Sequence, residues 1–193
     1  MSRNVASWSE SVDRLSLLLG DLSFRDGRCA DRGVDDAFGL LRQWAADVRK
    51  RRQTIYFVGN GASASMASHY AADFAKNGHL HTQVFSDLSL LTAIANDLDF
   101  SQVFAEPLRR RGNAGDMLVA ISSSGESPNI LEAVASAKEL RMQIITLSGM
   151  SPANSLRNLG DLNAYVAAQC YGDAETCHAS ILHHWMDLIE IKE

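Results

Sequence analysis

Two groups of acid and base side chains stand out in the sequence. His69 and Asp73 lie four residues apart in SASMASHYAADFAK, so on a helix they share one face. Glu175, His178, His183 and His184 fall on a second helical stretch near the end of the chain. At about 100° per residue, His178 lies roughly 60° to one side of Glu175 and His183 about 80° to the other, so Glu175 and His183 can serve one broad face. His184 points nearly opposite Glu175 and reads as a structural or surface histidine. Carboxylate and imidazole are the natural pair for taking a proton from carbon and returning it. Each spacing is also common on solvated helix faces, so the pairs alone leave both readings open.

Two turns could hold an anion beside such groups. In VAISSSGESPNILEAV, residues 119–134, three serines and a glycine follow an apolar run, and Ser127-Pro128 supplies a helix cap followed by proline at the first helical position. In FVGNGASAS, Gly59 and Gly61 let backbone approach a ligand while Ser63 and Ser65 offer hydroxyls. Either turn alone fits a plain helix start. Together, at the carboxyl ends of two expected strands, they fit a phosphate held by hydroxyls and amides without a lysine, the footprint of a phosphosugar site. The FVGNGASAS turn matches neither GxGxxG nor GxxxxGK[ST], so no nucleotide cofactor is expected. Glu126 sits among the hydroxyls, where a carboxylate would repel a phosphate dianion. It is expected to point outward, towards sugar hydroxyls or a neighbouring subunit.

The elements that must position these groups follow from apolar periodicity. Short β-rich runs alternate with helical segments from Thr54 onward: TIYFV then 63–77, TQVF then 87–96, MLVAI then 127–140, QIITL then a short segment near 151–158, and AYVAA then a helix from about Asp173 to Ile191. This alternation predicts an α/β fold, a doubly wound five-stranded parallel sheet covered on both faces. Before it lie two amphipathic helices, one striped by Trp8, Val12, Leu15, Leu18, Leu19 and Leu22 and one by Val34, Phe38, Leu41, Trp44, Ala45 and Val48. FRDGRCADRG breaks the pattern between them. Residues 1–193 read as a single domain, with 1–50 an N-terminal helical extension that packs on the core or on another subunit.

Composition excludes several classes. The 46% hydrophobic content fits one substantial core, and 18 Lys+Arg against 23 Asp+Glu give a net charge of −5, without the footprint of a nucleic-acid binder. The basic runs 49–52 and 109–111 sit where helices should end. Cys29, Cys170 and Cys177 are odd in number and lack CxxC spacing, as expected of reduced cytoplasmic thiols. The opening MSRNVASWSESVDR lacks the apolar centre of a signal peptide, and no run is long enough to span a membrane.

GNGASASMASHYAADFAKNG, LTAIANDLDFSQVFAEPL, ISSSGESPNILEAVASAKEL and YGDAETCHASILHH resemble, in order and spacing over residues 40–191, the successive motifs of the sugar isomerase (SIS) domain family, and within it the phosphoheptose isomerases. The resemblance implies a single SIS domain assembled as a homotetramer with sites between subunits. It also implies an aldose-ketose isomerase acting on D-sedoheptulose 7-phosphate through an enediol. By position, Asp73 and His183 match the family's acid/base pair. His69, Asp73, Glu175 and His183 match residues that often hold zinc, for which all four are competent ligands. Ser63, Ser122, Ser124 and Ser127 match its phosphate-binding serines, with Asn60, Gly61 and the turn amides as helpers, Ser123 where the family commonly has Thr, and Asp97 at a position near the active site. Departures are Asp73 for Glu, Glu175 for Gln, Glu126 for Asn and Ala62 for a second Gly. ASHYAAD and YGDAET look closer to a related branch of phosphosugar isomerases. Pentose and hexose phosphates would use the same turns, and a non-catalytic phosphosugar-binding or scaffold protein is the alternative class.

Overall fold

The structure, a computed structural model, describes residues 7–190. An amphipathic helix α1 (Trp8–Gly20) opens it, capped by Ser7, whose hydroxyl accepts from the Glu10 amide while Glu10 accepts from the Ser7 amide. The segment expected to be an irregular break folds instead as a hairpin of β1 (Ser23–Asp26) and β2 (Asp31–Arg32). Asp26 turns it by accepting from the Arg28 and Ala30 amides at 2.9 and 3.0 Å. Helix α2 (Val34–Arg51) follows, and then the alternating part: β3 (Thr54–Gly59), α3 (Ala62–Lys76), β4 (His81–Val84), α4 (Leu88–Asp97), α5 (Ala105–Arg111), β5 (Met117–Ser122), α6 (Pro128–Glu139), β6 (Gln143–Gly149), β7 (Leu162–Val166) and α7 (Tyr171–Ile189). Of the helical segment expected near 151–158, only a 3-10 turn at Ser155–Asn158 forms. The helix end expected at Ile191 and the first six residues of the opening segment lie outside the described residues.

The sheet has seven strands in the order β2-β1-β7-β6-β5-β3-β4. The five expected strands pair in parallel, and the hairpin adds two more because β1 runs antiparallel to β7, Phe24 opposite Ala164. Along β5 the side chains alternate between two cores. Met117, Val119 and Ile121 face α2, α3 and α7, where Phe57, Phe74 and Trp185 are buried, and Leu118 and Ala120 face α5 and α6. Trp185 also donates its indole N–H to the Leu41 carbonyl at 3.1 Å, which fastens α7 to α2.

The winding decides where a ligand can go. From β3 the chain moves outward to β4, then returns past β3 to lay down β5, β6 and β7 on the other side. The direction therefore reverses between β3 and β5, and a crevice opens at their carboxyl ends, the place where open α/β sheets bind ligands. Both serine-rich turns lie there.

The helix ends carry the basic runs as expected. Arg49 does more than face solvent, since it donates to the Gly78 carbonyl at 2.7 Å and to the Ile189 carbonyl at 2.9 Å at the end of α7. Helix α1 buries no residue fully; Leu15 and Leu18 rest partly on the core, and Trp8, Val12 and Leu17 are exposed. Its firm attachment is Arg14, which forms two hydrogen bonds to Asp173 in the first turn of α7, at 2.7 and 3.2 Å.

Candidate active site

The turn after β3 brings α3 directly over the strand end. A Cβ on Gly59 would lie 2.6 Å from the backbone of Ser63, so only glycine permits this closeness, and Gly61 takes φ 54° to start the helix. Ser63 is thereby buried in the first turn of α3, against the crevice.

The turn after β5 forms the opposite wall. Ser122 and Ser127 face each other with their hydroxyl oxygens 3.2 Å apart, and the Gly125 amide donates to Ser122 Oγ at 3.2 Å. Ser127 occupies the cap position of α6, yet its hydroxyl caps nothing, because it turns towards Ser122. Ser124 Oγ accepts from the Glu126 amide at 3.3 Å, and the Ser123 hydroxyl is buried without a partner. Between the walls lies a cavity of about 280 Å³ lined by Asn60, Gly61 and Ser63 from one turn, Ser122, Ser123, Ser124 and Ser127 from the other, and Tyr171 and Glu175 from α7. No lysine or arginine is among its described lining residues.

Glu126 leaves this cavity. Its carboxylate accepts from the Ser155 amide at 2.7 Å and from the Ser155 hydroxyl at 2.8 Å. The outward direction is as expected, but the partner is the 3-10 turn of the same chain rather than a sugar or another subunit. That turn braces the serine loop from behind: the Leu156 amide donates to the Gly125 carbonyl at 3.0 Å, and Asn154 sits so close that a Cβ on Gly125 would overlap its side-chain oxygen.

The acid/base candidates gather lower on α3 and α7. His69 Nε2 lies 3.2 Å from Asp73 Oδ2, and the His183 ring packs edge-on against His69 and Tyr70 with centroids 5.8 and 5.0 Å apart. Tyr70 links the two helices by donating to the Ala179 carbonyl at 2.7 Å, and burial pushes its phenol up to about 12, so it stays protonated. Ser63 and Asp73 are ten residues apart on α3, about 15 Å along the axis, and Glu175 and His183 are separated by about 12 Å on α7. One chain therefore carries its serine cradle and its His/Asp group at different heights. Glu175 belongs to the cradle, and among the described residues no three His, Cys, Asp or Glu side chains come together to hold a metal ion. Within one chain the four expected zinc ligands do not fit a single ion.

The remaining expected residues divide. Asp97 ends α4 on the surface and accepts from the Asn96 amide side chain at 2.8 Å, away from the cavity lining. His178 is fully buried, with Nε2 3.1 Å from the Ser148 carbonyl oxygen, and His184 stacks edge-on against Phe38. Three residues escaped the sequence reading. Tyr171 lines the cavity, Ser155 receives Glu126, and Asn129, 2% exposed, bonds to Asn60. Only Tyr171 left a signal, as the first residue of the YGDAET motif.

An open α/β sheet with two serine-rich turns facing each other at its switch point is the architecture in which such sheets bind small ligands, and the model of the SIS domain matches residues 36–149. The chain belongs to the SIS domain family. Its relatives include a phosphoheptose isomerase from Aromatoleum aromaticum, 39% identical over 144 residues that cover 70% of this chain and 73% of the relative. Another, from Helicobacter pylori, is 35% identical over 164 residues, covering 82% and 85%. The solved phosphoheptose isomerases of Francisella tularensis and Neisseria gonorrhoeae superpose with TM-scores of 0.81 and 0.79 at 25% and 28% identity, each over 94% of both chains.

Proposed function

We propose that this chain converts D-sedoheptulose 7-phosphate to D-glycero-D-manno-heptose 7-phosphate. The observation that carries the reading is Ser127: a serine at a helix start whose hydroxyl is withheld from capping and joined to Ser122 over the cavity. Ser63, Ser122, Ser124 and Ser127, with the amides of both turns, would hold the phosphate, as helix starts do for anions. The likeness to phosphoheptose isomerases supplies the sugar.

The reaction moves one proton between carbons and one between oxygens. A base takes the proton from C1 of the ketose to give an enediol, the proton is delivered to C2, and the hydroxyl proton passes from O1 to O2. Asp73 is the base in this reading and His183 the acid/base that serves the oxygens. Because Asp73 and His183 lie about 15 and 12 Å down their helices from the same chain's cradle residues, the reading supposes a neighbouring subunit's His/Asp group above each cradle. The offset supports the homotetramer implied by the family resemblance, in which Asp97 and Glu175 would complete shared sites, and the unpaired cysteines support a cytoplasmic location. Zinc would need Glu175 to join His69, Asp73 and His183 at one ion, which one chain does not bring about, so no step runs through it.

The test is incubation with sedoheptulose 7-phosphate in deuterated water, with added zinc and with a chelator. The expected outcome is the aldose with solvent deuterium at the carbon beside the carbonyl, and a loss of at least about 100-fold in kcat for Asp73→Asn and for His183→Ala with unchanged circular dichroism. Full activity in both variants would remove the assigned roles. No aldose and no deuterium in the wild type would leave a phosphosugar-binding module.

A further inference from the structure

We infer that Asn129 is a positioning residue that sets the width of the anion cradle through Asn60. The side chains form a reciprocal amide pair: Asn60 Nδ2 donates to Asn129 Oδ1 at 2.9 Å, and Asn129 Nδ2 donates to Asn60 Oδ1 at 2.8 Å. Asn60 follows β3 and lines the cavity, while Asn129 is the second residue of α6 and almost fully buried.

The pair sits where the backbone offers no other tie. The ladder between β3 and β5 ends with Gly59 opposite Ile121, before either turn begins. On its far side the serine loop is pinned to β6 and the following turn, by the Gly149 amide to the Ser123 carbonyl, the Leu156 amide to the Gly125 carbonyl, and Glu126 to Ser155. Towards the Gly59–Ser63 turn, the two amide bonds are the side-chain link among the described residues. A phosphate bridging Ser63 and Ser122 needs those turns at a fixed separation, and a two-bond planar amide pair resists both widening and shear. The pair also occupies Asn60's carbonyl oxygen and one of its two N–H groups. Asn60 is therefore chiefly a strap for the cradle, with one N–H left for a ligand.

This inference rests on the reading of the cavity as a phosphate site. Its test measures KM and kcat for sedoheptulose 7-phosphate, and Kd for inorganic phosphate, in Asn129→Ala, Asn60→Ala and the double variant. Each single change is expected to raise KM and Kd about tenfold, on the scale of two lost hydrogen bonds, with kcat held within about threefold. The double variant should be no worse than the worse single one, because both singles break the same link. Asn129→Asp adds a readout that mere scaffolding would not move. Its ionised carboxyl faces the Asn60 oxygen, but once protonated it can donate to that oxygen and restore the pair. Its KM ratio to wild type should therefore shrink as pH falls from about 8 to about 6. Unchanged KM and Kd in both single variants, whatever their melting temperatures, or defects that add in the double variant, would overturn the inference. If Asn129→Ala fails to fold, the pH dependence of the KM ratio in Asn129→Asp decides: a ratio that does not shrink as pH falls overturns the inference. Wild-type protein that neither binds phosphate nor turns over the sugar overturns the cradle reading and this one with it; active wild type with undisturbed variants overturns this one alone.

Discussion

His178 is an imidazole within one helical turn of Glu175, yet the interior has removed it from acid/base chemistry. Its Nε2 lies 3.1 Å from the Ser148 carbonyl oxygen, an acceptor, so Nε2 carries the proton in the neutral ring and Nδ1 is left without a partner. Burial holds its pKa down at about 4, against an ordinary 6.5. The unfolded chain therefore binds a proton between these values that the native ring refuses. Stability from this residue is complete above about pH 6.5 and falls as pH drops towards 4, by up to about 3 kcal/mol in all. Urea midpoints measured across that window should decline in the wild type and flatten in His178→Gln. An equal decline in the variant would place the pH dependence elsewhere. Neighbouring residues show the same principle from the polar side. Glu126, expected to point away from the hydroxyls around it, is held there by the Ser155 amide and hydroxyl.

At the level of elements, what could be read from the sequence depended on whether periodicity or partnership decided the outcome. Strands β3, β5 and β6 are apolar along nearly their whole length because both faces are covered, so they were legible as runs. Helices α3, α6 and α7 announced themselves through apolar stripes and through proline at the first position of α6. The hairpin did not. Its six strand residues are mostly charged, and Phe24 alone is buried, so nothing in the period of SFRD and DR foretells a strand; the open edge of β7 makes it one. The strand read as 164–168 is seated at Leu162–Val166, where Leu162 pairs with Ile145 and Asp161 accepts from the Ile144 amide. For the site, serines at strand ends could be recognised by type. Asn129 could not, since an asparagine near a helix start is ordinary and its partner is 69 residues away.

For the whole molecule, the vertical offset between cradle and His/Asp group is the feature with the widest reach. If the proposed roles hold, a lone chain would bind the phosphate and present the reacting carbons to solvent. Exposed apolar side chains on α1, with Leu88, Leu98 and Phe100 around α4, give the chain surfaces that a second copy could cover. Specific activity should therefore fall on dilution in step with the loss of assembled protein, followed by light scattering on the same samples. Full activity at a concentration where only monomer remains would place both halves of the site in one chain. The cavity has a further property, because its described lining holds hydroxyls, an asparagine and a carboxylate but no cation. No lysine or arginine of the described lining draws an anion in from a distance, so on the proposed reading capture depends on the oxygens meeting donors at contact. Raising sodium chloride from about 0.05 to about 0.5 M should change the Kd for the phosphosugar by less than about threefold, where a lysine or arginine site would weaken far more through screening. On the proposed reading such a cradle would recognise its ligand by the arrangement of acceptor oxygens, and would keep doing so in brine.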